Sequence, residues 1–440
     1  VLTEIFPKLK SKTFSFAKLR GSIARVGNDA GFDRLINSYS YGGLFRNDMA
    51  WFQGDAVRKN PNLKPETTIS KEIGAEVRLL DGRLTADVTY YDKYTRDQIV
   101  ESELSYLSNY QRVIINSGKI SNKGWEISVS GVPVKVKNFE WKTIFNWSKN
   151  NSMVESLPEG IDKIQIGSGV YNVKSYAEVG KPYGAIYAKT FKRDAEGYIL
   201  CQLDGSPKEG QDYEYLGCVQ ADWRGGWNNV FRLGNFSFSV MFDFQKGGKF
   251  FSQTSIQSSV DGQSVKSLEG RDADFFSRKI LGESDEERYG FMRPQNANTP
   301  TANGQIYPDW GRPKGVVLPN CRYDEDVEGL AGQQVLGYCT PERYWMHYTS
   351  RDISRFIYDA SYVKLREITV SYDLPKKWLR KTPFQTFRVA AVGRNIATLF
   401  ANTPHGLDPQ ATSTTGNAQG FERGFNLPSA TYGFDIKVSF

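Results

Sequence analysis

Histidine is nearly missing from this 440-residue chain: His347 and His405 are the only two. With these far apart and no G-x-S-x-G elbow, a serine-type triad has no frame. The four cysteines, Cys201, Cys218, Cys321 and Cys339, show neither C-x-x-C spacing nor a neighbouring histidine pair, so a zinc site is not expected. Gly-rich phosphate cradles are absent as well. Arg224-Gly-Gly-Trp227 lacks the Lys-Ser/Thr ending of a P-loop and reads as backbone relief at a strand start. No apolar run approaches the roughly 18 residues a spanning helix needs. The 56 basic and 49 acidic residues are interspersed without a Lys/Arg block, which argues against nucleic acid as a partner despite the net charge of +7. The chain opens on Val-Leu-Thr-Glu-Ile with no visible secretory signal, so the expectation is a processed chain or a fragment. An enzyme is not expected.

What the chain has is aromatics, 24 Tyr, 27 Phe and 9 Trp, together with 41 Gly. That mixture suits many strands, tight turns and aromatic girdles. The last stretch alternates throughout, with Tyr432, Phe434, Ile436, Val438 and Phe440 on one face and Gly433, Asp435, Lys437 and Ser439 on the other. Such a strand fits the lipid-facing seam of a barrel, or equally the terminal strand of a soluble β-sandwich with the same residues in a dry core. Negative mean hydropathy does not decide between them, since the lumen half of a barrel strand is polar.

Hairpins recur along the chain. A first strand runs from Phe14 to Val26. Ile69, Ile73, Ala75, Val77 and Leu79 share a face before an Asp81-Gly82 turn of type I′ character, and Leu84, Ala86, Val88 and Tyr90 return. Further hairpins turn near Lys137-Asn138, at Gly234-Asn235 and around Pro375 to Trp378. The opposite ends are joined by long polar stretches, about Glu101 to Ser121, Glu155 to Ala221, Gly248 to Asp352 and Ala401 to Pro428. Compact soluble domains seldom carry connections of that length. Short turns on one rim and long loops on the other are the habit of outer-membrane barrels, and roughly a dozen strands have the ~10-residue length a tilted spanning strand requires.

Several stretches resemble the SusC/RagA family of TonB-dependent transporters: Asn60-Pro-Asn-Leu-Lys-Pro-Glu66, Glu72-Ile-Gly74, Asp87-Val-Thr-Tyr-Tyr-Asp92 and Asn116-Ser-Gly-Lys-Ile-Ser-Asn-Lys-Gly-Trp-Glu126. Tyr362-Val-Lys-Leu-Arg-Glu-Ile-Thr-Val-Ser-Tyr-Asp-Leu-Pro375 and Gly393-Arg-Asn-Ile-Ala-Thr-Leu-Phe400 follow in the family's order, and Ala17-Lys-Leu-Arg-Gly-Ser22 with Val26-Gly-Asn28 precedes them. The resemblance covers about Phe14 to Phe440. It departs at Asp408-Pro-Gln410, where the family often has Asp-Pro-Glu.

This resemblance implies an all-β fold, a transmembrane antiparallel β-barrel of which residues 1–440 are the C-terminal portion: about a dozen strands of a 22-stranded barrel. It also implies a plug domain and a TonB box that are not in this chain, a location in the bacterial outer membrane, and TonB-driven import of oligosaccharides or oligopeptides. A SusD-like surface lipoprotein would act as lid, and no cofactor is required. The remaining barrel strands and the plug are then partners, as are TonB, through the N-terminal region, and outer-membrane lipid. Rival expectations are a siderophore or cobalamin receptor of the wider class, and a β-sandwich surface adhesin or carbohydrate-binding module.

Candidate site residues follow from chemistry alone. Trp310, Tyr344 and Trp345 lie in a segment also carrying Arg312, Arg322 and Arg343, a mix able to stack on sugar rings or grip peptide carboxylates. The same aromatics could equally pack the loop. Asp324-Glu-Asp326 could supply oxygen ligands for Ca²⁺, or two carboxylates for glycoside hydrolysis, although acidic loop runs are usually solvated surface or partner contacts. The even cysteine count is compatible with disulfides joining Cys201 to Cys218 and Cys321 to Cys339 in an oxidising compartment. Phe434, Ile436, Val438 and Phe440 are the lipid-facing residues of the barrel reading.

Overall fold

Ten strands form one sheet in this computed structural model, which describes residues 1–268 and 316–440 apart from 32, 47, 105, 340–342, 405, 412–415, 417–418 and 425–428. They are β1 (Phe14–Asn28), β2 (Glu66–Leu79), β3 (Leu84–Arg96), β4 (Lys119–Val136) and β5 (Phe139–Ser156). The series continues with β6 (Trp223–Leu233), β7 (Phe236–Lys246), β8 (Tyr362–Asp373), β9 (Thr386–Ala401) and β10 (Thr431–Ser439). Each pairs antiparallel with the next, a meander with β1 and β10 at its edges. The count is close to the dozen expected; Tyr39–Phe45 and Met49–Gly54 pair with each other outside the sheet.

Register explains the alternation. Residues directly opposite share a face, and one row across the sheet reads Ala86, Val129, Phe145, Trp227, Phe242, Leu365. The next row reads Asp87, Ser128, Asn146, Gly226, Asp243, Lys364. Along these rows, from β3 to β8, one face is therefore apolar and the other polar. The apolar face is uncovered: Phe434 is 86% exposed and Ile436 63% exposed, Phe440 is exposed and Val438 half-buried. A β-sandwich needs that face in a dry core, so the rival sandwich reading fails on this exposure.

Short turns close one rim. The β2–β3 turn sits one residue earlier than the sequence suggests, because Leu80 and Asp81, both at positive φ, are its central pair and the Gly82 amide donates to the Leu79 carbonyl at 3.1 Å. The other rim carries the long connections, and these are folded. They contain a four-stranded sheet (Lys163–Ser168, Lys174–Glu178, Ala185–Phe191, Glu209–Cys218) and a three-stranded one (Ile199–Cys201, Val316–Tyr323, Gln334–Cys339). A third joins Lys249–Ser252 to Ile357–Asp359 and Phe421–Glu422. The buried apolar clusters lie mainly in this cap. One of them gathers Val173 and Ile186 from the 157–222 connection, Phe251, Ile256 and Phe356 from 247–361, and Phe421 from 402–430. Three connections thus share one core. Ser252 and Glu422 fasten it by capping the helix Gln253–Val260: the Ser255 amide donates to Ser252 Oγ at 3.0 Å, and Glu422 Oε2 accepts from Ser252 Oγ at 2.6 Å and the Thr254 amide at 3.1 Å.

The glycines of Asn116-Ser-Gly-Lys-Ile-Ser-Asn-Lys-Gly-Trp-Glu126 have a packing reason. A Cβ on Gly124 would stand 2.3 Å from the Lys149 carbonyl oxygen and 2.4 Å from the Tyr91 hydroxyl, and one on Gly118 would stand 1.9 Å from the Ser156 carbonyl oxygen. Both glycines let β4 approach its neighbours closely. Gly124→Ala should therefore cost about 1–3 kcal/mol through overpacking, read as a lowered urea midpoint of the detergent-solubilised protein. An unchanged midpoint would show that the strands part without cost.

Candidate functional site: the polar wall and its mouth

The polar face is a chemical surface set by strand alternation. Arg20 on β1 reaches across β2 to Asp87 on β3 in a two-pronged pair, at 2.7 and 2.5 Å, and also donates to Thr89 Oγ1 at 2.6 Å. With Glu126, Asn146, Arg224 and Asp243 these residues line a cavity of about 450 Å³. Gly226, on the polar face with Arg224, leaves the wall low there; Gly225 faces the other side, where a Cβ would lie 3.1 Å from the Asn146 carbonyl oxygen and 3.6 Å from the Phe244 ring. Backbone relief is thus the role of the Arg224-Gly-Gly-Trp227 run, and its arginine faces the cavity.

A second cavity, of about 390 Å³, shares Arg224 and Asp243 and continues to the cap, where Lys249, Tyr362, Gln410 and Gln419 line it. Its wall is a dense polar network. Lys364, buried on β8, donates to both oxygens of Asp408 at 2.5 and 2.6 Å and to Gln410 Oε1 at 2.9 Å. Arg366 donates to Gln410 Oε1 at 2.7 Å, to Asn395 Oδ1 at 2.6 Å and to Asp243. The Gln410 amide in turn donates to the Tyr362 hydroxyl at 2.5 Å. Two cations face two carboxylates around a neutral carboxamide, so the cluster balances. A glutamate at position 410, frequent in the family the chain resembles, would add one negative charge. This network fixes the Asp408-Pro-Gln410 segment at the mouth of the polar face.

The residues singled out from sequence are placed differently. Tyr344 and Trp345, 1% and 3% exposed, lie in the core of the cap with their rings edge to face at 5.1 Å. They present no open platform to a solute, so their role is the packing alternative. Trp310 lies outside the described residues. Asp324 is buried and held by Lys192 at 2.9 Å and Lys208 at 2.8 Å, while Asp326 pairs with Lys208. The carboxylates are thus neutralised by lysines, and among the described residues no group of three or more ligating side chains suits a metal. No disulfide joins the four cysteines in this structure, and Cys201 shares an apolar cluster with Cys321 and Cys339 rather than with Cys218. The aromatic and acidic patterns in the sequence do not single out Arg20, Asp87, Arg224, Asp243, Lys364 and Asp408, which line this polar face; their alternation with apolar residues is the signal that points to them.

Burial opposes ionisation of Asp324, but hydrogen bonds from Lys192 and Lys208 outweigh it and hold the carboxyl at about 2. A depressed carboxyl stabilises the fold at pH values above its unfolded pKa, and that stabilisation is lost as pH falls through the folded pKa. The cap should lose about 2 kcal/mol between roughly pH 4 and pH 2. Asp324→Asn should flatten the acid limb of the cap's melting profile in that window; an identical limb would assign acid sensitivity elsewhere.

Comparison with known proteins adds the family. A family model described as TonB dependent receptor-like, beta-barrel, matches residues 12–396. TonB-dependent receptor P3 of Formosa agariphila is 25% identical over 395 residues, covering 85% of this chain and 33% of that protein. TonB-dependent receptor SusC of Bacteroides thetaiotaomicron is 29% identical over 104 residues, covering 23% of this chain and 10% of that protein. Among solved structures, the RagAB peptide transporter superposes with a TM-score of 0.64 at 17% identity, covering 100% of this chain and 42% of that one. The chain spans about a third of the length of the F. agariphila relative.

Proposed function

From the premise that the chain belongs to the TonB-dependent receptor-like β-barrel family, we propose that it is part of the wall and extracellular cap of an outer-membrane importer of oligomeric nutrients, oligosaccharides or oligopeptides. The observation that carries this reading is the polar face, whose cavities lead from the mid-sheet Arg20–Asp87 pair to the Lys364–Asp408 network under the cap. Import needs a polar path that holds solute weakly enough to release it. Hydroxyl, carboxamide and paired charged groups are suited to that, and nothing in the path calls for bond-making chemistry.

In this reading residues 1–440 are the C-terminal portion of the barrel, and further strands pair with the outer edges of β1 and β10, since lipid cannot satisfy an open strand edge. Phe434, Ile436, Val438 and Phe440 face lipid. The cap, with its own cores, is the docking ground for a SusD-like lid lipoprotein. TonB and a plug act from the remainder of the longer protein.

The test is to solubilise outer membranes in detergent, purify this polypeptide and identify by mass spectrometry what travels with it. A plug-bearing partner or segment, a surface lipoprotein and a bound oligomer are the expected finds. Recovery of the polypeptide alone in the soluble fraction would end the importer reading.

A further inference from the structure

The cap holds three buried thiols in one core. Cys201 ends the short strand Ile199–Cys201, and Cys321 lies within Val316–Tyr323; the two strands pair in parallel, Ile199 opposite Cys321 and Cys201 opposite Tyr323. Ile199, Cys201 and Cys321 therefore point to the same side of this small sheet, with Cys201 and Cys321 diagonal neighbours. Both are 0% exposed and belong to one apolar cluster, and the Cys321 thiol donates to the Leu318 carbonyl at 3.2 Å. Gly337 gives the site room, since a Cβ there would lie 2.6 Å from Cys321 Sγ. Cys339 belongs to the same cluster but lies across from Val316, at the far end of its strand pair from Cys321. Cys218 lies elsewhere, opposite Ala185, with its sulfur on the Tyr183 carbonyl at 3.5 Å.

We propose that Cys201 and Cys321 are a redox pair that closes to a disulfide, a covalent staple between the 157–222 and 247–361 connections of the cap. The staple does not depend on what the protein carries. It joins segments that meet only in the folded cap, so it would hold the three-stranded sheet together across a loop of more than a hundred residues, the arrangement in which a cross-link restricts the unfolded chain most. Oxidation takes two thiols and one disulfide-bearing oxidant, of the kind present where cell-surface proteins fold. The cysteine Sγ–H groups give up two protons and two electrons, one S–S bond forms between Sγ atoms, and the oxidant's own S–S bond breaks to two thiols. The attacking species is the thiolate, and a disulfide-bearing oxidant must reach the sulfur, which the finished core encloses. Closure therefore belongs to folding, before the cap shuts, and the finished bond is shielded from reductant.

The experiment uses the full-length protein purified from outer membranes without reductant, denatured in acid, then alkylated and digested. Non-reducing mass spectrometry should recover one linked peptide pair, Cys201 to Cys321, lighter by two hydrogens than the sum of its parts, with Cys218 alkylated. Recovery of Cys201 and Cys321 both alkylated, or of either linked to a different cysteine, overturns the proposal. As a second readout, Cys201→Ser and Cys321→Ser should each lower the melting temperature of the cap, and the double variant no further, with dithiothreitol before denaturation leaving the wild type unchanged. Additive losses in the double variant, or a wild type that dithiothreitol shifts to the variant's melting temperature without denaturant, would count against a shielded staple.

Discussion

Phe251→Ala is expected to loosen the cap while leaving the ten-stranded sheet standing. The ring is fully buried where the three long connections meet, its strand runs beside Phe421 and Ile357, and its amide donates to the Gly420 carbonyl at 2.8 Å. Removing a buried phenyl group costs about 3–5 kcal/mol, because the lost transfer energy is joined by the cavity left behind. That is a large part of the stability of a small unit. The backbone bonds of Lys249–Ser252 to both neighbours depend on this packing, so the loss should spread beyond position 251. Hydrogen exchange of the whole protein in detergent provides the measurement: amides of Ala185–Phe191, Ile353–Phe356 and Phe421–Glu422 should exchange faster, and those of β4 to β7 should not. Equal acceleration in the sheet would mean that cap and wall unfold together, and no acceleration at Phe421 would remove the shared core from the account.

The difference between those two regions also explains what the sequence could disclose. The wall strands run nine residues or more, with period-two alternation in stretches such as Phe236–Lys246 and Thr431–Ser439 and bulges elsewhere, and neighbours in sequence are neighbours in space. Both the apolar face and, by subtraction, the polar site face were therefore legible. The cap strands are two to ten residues long and find partners far away, Ile199–Cys201 beside Val316–Tyr323 and Phe251 beside Phe421. A run of that length has too few alternations to be told from a loop, and pairing over such separations leaves no local trace. The Lys364–Asp408 network has the same character: its two carboxylates and two cations come from β7, β8 and the connection after β9. Trp345 and Tyr344 show the opposite error. Aromatics beside arginines have the composition of a binding surface, yet Arg343 spends its charge on Asp204 at 2.9 Å and the rings go inward. Composition gives no direction, and only the strand period does.

Ile436→Lys should destabilise the inserted protein by about 2–4 kcal/mol if β10 crosses near the bilayer midplane. Ile436 is mid-strand, opposite Val389 on β9, with Phe434 and Val438 beside it on the same face. A lysine there would have to stretch its ammonium along the strand toward an interface, leaving an apolar neighbourhood without a counter-charge. Asp435→Lys is the internal control: it lies one residue away in the same strand but on the polar face, opposite Ala390, where solvent and mixed charges should keep the effect within about 1 kcal/mol. The comparison separates a membrane effect from a strand-propensity effect, because both substitutions put the same side chain into the same backbone. Urea titrations of the protein folded into lipid vesicles read both values. A large loss at 436 with little at 435 places the apolar face in lipid. Equal losses would make the strand itself the sensitive element, and a reversed order would turn the wall inside out.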